Sequence, residues 1–243
     1  MARKRIDQLL VDRAVFDSRS KARAAIEAGG VSVAGRVVVK PSEAVEEDAE
    51  IVAEAAHPWV GRGALKLVHA LDLWPIAVGG RIALDVGAST GGFTHVLLAR
   101  GASFVFAVDV GRDQLHPLLR GDDRVADLSG LDARALDQAR IDRAPALIVS
   151  DVSFISLTKA LQLALALAES GADLVALIKP QFEAGRDHVG KGGLVKDPEV
   201  IVGVEQRIED FLESAGWSVK GLTESPITGG EGQVERLIWA TKR

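Results

Sequence analysis

Four side chains suited to hydroxyl chemistry stand far apart in the sequence. They are Lys66 in Gly61-Arg-Gly-Ala-Leu-Lys-Leu67, Asp151 in Val149-Ser-Asp-Val-Ser-Phe154, Lys179 in Leu177-Ile-Lys-Pro-Gln-Phe-Glu183 and Glu235 in Gln233-Val-Glu-Arg-Leu237. An alcohol hydroxyl is a poor nucleophile at neutral pH, so reaction at that oxygen needs in-line positioning and a group that binds or accepts its proton. Lysine can do this when its pKa is lowered. A second ammonium and partial burial disfavour the charged amine, while a carboxylate holds the side chain and moderates that shift. The expected signature is therefore two lysines interleaved with two carboxylates. Each of the four taken singly is most simply a surface ion pair; their order and context give them a joint task. Asp151 and Lys179 follow apolar runs, at the strand ends where α/β sheets carry ligands.

A second chemical feature is Leu84-Asp85-Val-Gly87-Ala88-Ser89-Thr90-Gly91-Gly92-Phe93-Thr94, a strand passing through a glycine-rich turn into a helix over Phe93–Arg100. Glycine lets backbone approach a ligand, and a helix N-terminus offers unpaired N–H groups. The glycine interval is not that of a dinucleotide fingerprint, and the Gly-Lys-Ser/Thr ending of a phosphate loop is absent. The D-x-G-x-x-x-G-G pattern instead resembles the first motif of S-adenosylmethionine-dependent methyltransferases. Asp109 ends the next apolar strand, where a carboxylate can bond both hydroxyls of a ribose.

These residues need a scaffold. Apolar strands over 81–86, 104–108, 146–149 and 174–178 alternate with helical patterns, which predicts a Rossmann-like α/β domain with a mostly parallel sheet and helices on both faces. Two more strands, 217–222 and 234–240, lack an intervening helix, so the last one is expected to pair antiparallel. The apolar stretch 160–168 reads as a core helix, too short to span a bilayer. Lys159, His69 and His95 read as surface or core residues, and no metal site is visible.

The N-terminal end is a different object, a small α+β module. Apolar residues at 6, 9 and 10 have helical spacing, Ser18 or Ser20 can cap a second helix to about Ala28, and Val31–Val33 and Val37–Val39 read as short strands around a turn. Residues 45–59 read as a final strand and a linker, placing the boundary near residue 58, between domains 1–58 and 59–243. Residues 1–40 carry nine Lys/Arg against four Asp/Glu, residues 41–60 six acidic residues and no Lys or Arg, and the whole chain a net charge of −5. A basic end suggests a polyanionic partner. Arg19 and Arg23, four residues apart, share a helix face that can reach successive phosphates, and Arg36 and Lys40 extend it.

Over about forty residues this end resembles the RNA-binding module named after small-subunit ribosomal protein four. The resemblance rests on Arg5-Ile-Asp-x-x-Leu9, Ser18-Arg-x-x-Ala22, Ile26-x-x-Gly29, Val31-x-Val33, Gly35 and Lys40-Pro-Ser42. It implies a tether for structured RNA using Arg5, Arg19, Lys21, Arg23, Arg36 and Lys40, with Arg62 beside them.

Composition limits the alternatives. With 243 residues, 47% hydrophobic and 26% charged, the chain has an ordered soluble composition, and the absence of cysteine removes disulfides, thiolate zinc sites and cysteine nucleophiles. The N-terminus lacks an apolar signal core, so a cytoplasmic protein without stable membrane association is expected. The sequence carries no signal for oligomeric state.

Residues 60–243 resemble the FtsJ-like 2′-O-methyltransferases, marked by a Lys-Asp-Lys-Glu tetrad in this chain order, and the full length resembles the TlyA, or haemolysin-like, family. Supporting words are Asp109-Val-Gly111, Gln114-Leu115, Ser150-Asp-x-Ser-Phe-Ile-Ser156, Lys179-Pro-Gln-Phe-Glu183, Val189-Gly-x-Gly-Gly193 and Asp197-Pro198. The resemblance implies S-adenosylmethionine as cofactor and ribosomal RNA or ribosomal subunits as partner, methylated at cytidine 2′-oxygens. It implies Lys179 at the hydroxyl, oriented by Asp151, with Lys66 and Glu235 completing the network. Asp85 and Gly87, Ala88, Ser89, Thr90, Gly91, Gly92 and Phe93 would bind the methionine portion, Asp109 the ribose, and Asp132 the region near the adenine. Three positions depart from the pattern: Asp132 stands for a commoner Asn, His57-Pro58 for Arg-Ala, and Gln233 for Asn. The last two are expected to bear on RNA docking more than on chemistry. The competing expectations are an RNA-binding protein without catalysis, a methyltransferase for a small molecule or protein, and a membrane-lytic protein.

Overall fold

Strands buried on both faces of a parallel sheet read as unbroken apolar runs, and four such runs form the middle of the larger sheet. The computed structural model describes residues 3–229 and 232–243 and divides into two units, Met1–Arg62 and Gly63–Arg243.

In the first unit the elements are β1 (Arg3–Arg5), α1 (Ile6–Asp12), α2 (Arg19–Glu27), β2 (Val31–Val33), β3 (Arg36–Val37), β4 (Ala44–Glu46) and β5 (Ile51–Ala53). Ser18 caps α2 by accepting from Lys21 N, and Gly29, at φ 77°, follows its end. Ile6, Leu10, Ala22, Ile26 and Val31 are fully buried in a core of their own. Burying each of the larger side chains stabilises by roughly 1.5–3 kcal/mol. The segment read as one final strand contains two: β4 pairs antiparallel with β1, and β5 with β2. β1 escapes a periodicity reading because all three of its residues are charged.

The second unit runs α3 (Ala64–Leu73), β6 (Ile82–Val86), α4 (Gly92–Ala99), β7 (Phe104–Asp109), α5 (Pro117–Arg120), β8 (Val125–Ser129), β9 (Leu147–Ser150), α6 (Leu157–Ala160), α7 (Gln162–Leu167), β10 (Asp173–Ile178), α8 (Pro180–Glu183), α9 (Pro198–Ser214), β11 (Trp217–Glu224) and β12 (Arg236–Lys242). The sheet order is β11-β12-β10-β9-β6-β7-β8, with β10 to β8 parallel and β12 antiparallel to both neighbours. The expected Rossmann-like α/β sheet with an antiparallel last strand is what forms. Two details differ from expectation. β8 was not read as a strand, since Val-Ala-Asp-Leu-Ser is a partly buried edge sequence, and the core helix of 160–168 is split into α6 and α7 around Leu161.

Register positions the chemistry. Val86 pairs with Val108 and with Ser150, so β6, β7 and β9 end at one edge. Ile178 pairs with Arg236, so antiparallel β12 starts where β10 stops. Glu235, just before β12, is thereby carried to the edge that holds Lys179, just after β10.

Candidate active site and RNA-binding face

The four chemically suited side chains meet. Glu235 Oε2 lies 2.6 Å from Lys66 Nζ, Lys66 Nζ 3.5 Å from Asp151 Oδ2, and Asp151 Oδ1 2.6 Å from Lys179 Nζ. Lysine and carboxylate alternate along this line, so each of the two buried amino groups faces a side chain of opposite type. Glu235 is only 2% exposed, and Gly229 is packed so closely on it that a Cβ there would lie 2.2 Å from Oε1. Lys66 comes from α3, where Gly63 opens the helix facing Asp151; a Cβ at Gly63 would approach Asp151 Oδ2 at 3.4 Å.

The tetrad adjoins a cavity of about 860 Å³, lined by residues following β6, β7 and β9 and by Asp132 and Phe182. Asp151 belongs to both. Asp109 is fixed on the wall by two backbone donors, Ser89 N at 2.8 Å to Oδ2 and Gly111 N at 2.7 Å to Oδ1, each oxygen keeping further acceptor capacity. Gly87 has φ 87°, and a Cβ there would lie 3.0 Å from both the Asp151 carbonyl oxygen and Val152 Cγ1, so only glycine lets the two loops approach this closely. Val110, Leu131 and Ile155 supply apolar wall. A carboxylate for ribose hydroxyls, apolar surface for a flat base and a glycine-backed loop fit S-adenosylmethionine in chemistry and size.

Of the residues expected at the cofactor, Gly87, Ser89, Asp109 and Asp132 stand on the cavity wall, whereas Asp85, Ala88, Thr90, Gly91, Gly92 and Phe93 do not. Asp85 is fully buried behind the loop, where its Oδ2 accepts from Thr94 N at 3.0 Å and Thr94 Oγ1 at 2.7 Å. It holds the first turn of α4. Burial pushes its carboxyl up to about 7 against the lowering effect of Thr94. Gly91 sits at φ 91° facing Leu115 and Leu119, and Phe93 is buried. Asp132 is paired with Arg134, whose hydrogen bonds bring the carboxyl down to about 2.

Sequence reasoning missed part of this wall. Lys159, read as a surface residue, lines the cavity, as do Ser153 and Phe154. Phe154 is 90% exposed, adopts φ 65°, and lies 5.0 Å, centroid to centroid, from Phe182. The signal was the word Ser150 to Ser156, read for its aspartate alone. Gln233 requires a correction: it is buried, with its amide accepting from Val195 N at 2.8 Å and donating to Val195 O at 3.2 Å, so it anchors the backbone before Glu235 and is unavailable to dock RNA. Asp197-Pro198 is the cap and first residue of α9.

In the first unit Arg19, Arg23 and Arg62 line a shallow concavity of about 450 Å³ together with Glu27. Arg19 also bonds buried Asp7 at 2.8 Å, as does Arg5 at 2.9 Å, and this arginine pair, Arg5 first, holds the Asp7 carboxyl down to about 2. Lys21 pairs with Asp17 and Arg36 with Glu43; neither they, Arg5 nor Lys40 lines the concavity. The arginines of the concavity are themselves paired with acidic neighbours, Arg19 with Asp7 and Arg23 with Glu27 at 3.7 Å. Half-buried His57 has its pKa lowered by burial, then by Lys21 and Arg62.

Residues 59–242 match the FtsJ-like methyltransferase family. The chain belongs to that family. Residues 4–51 match the S4 domain. Among relatives, this methyltransferase is 44% identical to the 16S/23S rRNA (cytidine-2'-O)-methyltransferase TlyA of Mycobacterium tuberculosis strain H37Rv, over 98% of this chain and 90% of that one. It is 37% identical to hemolysin A of Brachyspira hyodysenteriae, over 96% and 98%. A solved Streptococcus thermophilus structure that carries a hemolysin label superposes with a TM-score of 0.78 at 38% identity, covering 100% of this chain and 89% of that one. An S-adenosylmethionine-dependent methyltransferase from Mesorhizobium loti, at 14% identity and TM-score 0.53 over 74% and 99%, shares the fold. Among the described residues no helix is long and apolar enough to cross a membrane.

Proposed function

We propose that the chain transfers the methyl group of S-adenosylmethionine to a ribose 2′-hydroxyl of ribosomal RNA, at cytidine, in the cytoplasm. The observation that carries this reading is the line Glu235–Lys66–Asp151–Lys179, which reaches the wall of the cavity that Gly87, Ser89 and Asp109 also line. S-adenosylmethionine, when bound, supplies an electrophilic sulfonium methyl. Gly87, Ser89, Asp109 and Asp132 would hold it, Asp109 by accepting from ribose hydroxyls.

The chain's own residues handle the proton. Lys179 Nζ receives the proton of the attacking 2′-hydroxyl as charge builds on that oxygen. Asp151 Oδ1 fixes the amine at 2.6 Å and stabilises the ammonium that results. Glu235 holds Lys66 against the other Asp151 oxygen, so the carboxylate keeps one orientation through the reaction. Residues 1–58 act as the RNA tether, with Arg19 and Arg23, and Arg62 just beyond it, on phosphates, and residues 59–243 as the catalytic domain. Support for ribosomal RNA comes from the names of the relatives and from the match to the S4 domain.

Digestion of RNA labelled by the full chain into nucleosides tests the reading. Label recovered as 2′-O-methylcytidine is expected; label on a base, or on ribosomal protein, overturns it.

A further inference from the structure

Lys179 has a second partner besides Asp151. Its Nζ donates to Ser153 Oγ at 2.9 Å, and that hydroxyl belongs to an exposed residue on the cavity wall, while the lysine is only 8% exposed and off the wall. Asp151 and Ser153 sit two residues apart on the turn that follows β9. That turn is clasped at both ends by one short segment. Lys179 holds its start, and Glu183 holds its finish by accepting from Ser156 Oγ at 2.6 Å and Leu157 N at 2.7 Å. Phe154 takes φ 65° within it, a conformation that persists for a bulky residue only where the surroundings over-determine it. Asp151, ion-paired with Nζ, and Ser153, its hydrogen-bond acceptor, are therefore held by one constrained piece of backbone.

Only the Ser153 contact has the direction of a hydrogen bond: Asp151 Oδ1 lies 2.6 Å from Nζ as an ion-pair partner but accepts no hydrogen bond among the described residues. An ion pair constrains distance more than rotation, so with Asp151 alone the nitrogen would turn about its Cε–Nζ bond, whereas the bond to Ser153 Oγ sets which way its remaining positions face. We propose that Ser153 is a positioning residue that fixes the rotation of the Lys179 nitrogen for the incoming ribose hydroxyl, acting through that nitrogen. The inference rests on the reading of Lys179 as the proton acceptor.

The test is methyl transfer by the full chain to ribosomal subunits lacking the modification, with kcat, KM for the RNA and cofactor affinity measured for wild type, Ser153→Ala, Ser153→Thr and Lys179→Ala. Loss of a hydrogen bond to a charged or charging group predicts a fall in kcat of roughly ten- to a hundredfold for Ser153→Ala, with KM and cofactor affinity within about twofold of wild type. Ser153→Thr, which keeps the hydroxyl, is expected to recover most of the rate. Ser153→Ala at wild-type kcat, with Lys179→Ala inactive, overturns the proposal and leaves the Lys179 reading standing. Equal losses in the alanine and threonine variants, accompanied by weakened cofactor binding, also overturn it, since they mark a wall contact and not a hydroxyl. Wild-type turnover by Lys179→Ala removes both.

Discussion

Asp85 shows how a motif residue can shape a loop from behind it. It is fully buried, one carboxyl oxygen is bonded to Thr94, and the other, Oδ1, has no hydrogen-bond partner. Its folded pKa of about 7 lies above the unfolded value of 3.8. A carboxyl raised on folding contributes stability that is fully present below the unfolded pKa and lost as pH rises through the folded one. Between pH 3.8 and about 7 wild type should therefore lose ground relative to Asp85→Asn, by up to roughly 4 kcal/mol. Denaturant midpoints of the two proteins across that range check this: a gap that stays constant with pH contradicts it. At this scale the sequence was partly legible. The tetrad was readable because four scarce residue types follow a chemical pattern. The distinction between Asp85 behind the loop and Asp109 on the wall was not, because both end apolar strands and only packing against α4 separates them.

At the scale of elements, the site depends on where strands stop. The strong apolar runs made β6, β7, β9 and β10 legible, and their shared edge follows from parallel pairing. The insertion of β12 between β10 and β11 was not legible, since antiparallel pairing names no neighbour, yet it carries Glu235 to Lys66. β1 and β8 escaped because edge strands with charged or small residues lack a buried face to impose alternation. The turn from β6 into α4 offers a direct check. Gly91 holds φ 91°, and a Cβ there would lie 2.3 Å from Leu119 Cδ1 and 2.7 Å from Leu115 Cδ1. Gly91→Ala should destabilise by about 1–3 kcal/mol and weaken S-adenosylmethionine binding by displacing Ser89, the donor that fixes Asp109. Calorimetric titration and thermal unfolding of the variant test the two parts; unchanged cofactor affinity would show that the loop adjusts without moving Asp109.

Over the whole molecule, a net charge of −5 conceals a basic end, in which Arg19, Arg23 and Arg62 line one concavity. Charge counting alone left every Lys and Arg of that end equivalent. The acidic partners Asp7, Asp17 and Glu43 became visible only once β4 and the two helices were folded together. If Arg19 and Arg23 each neutralise a phosphate, Arg19→Ala/Arg23→Ala should lower RNA affinity and reduce the slope of log affinity against log salt by about 2. Arg5 still pairs with Asp7 in that variant, so the fold of the first unit is expected to survive. Cofactor affinity should be unchanged, and a salt slope equal to wild type would place the RNA elsewhere.

The central claim is that Lys179 handles the proton of a ribose hydroxyl, and its most direct test is transfer of labelled methyl from S-adenosylmethionine to unmodified ribosomal subunits by wild type and Lys179→Ala. The account predicts label on a ribose with wild type, a loss of at least about a hundredfold in the variant, and equal cofactor affinity in both. Label at wild-type rate from Lys179→Ala would contradict it.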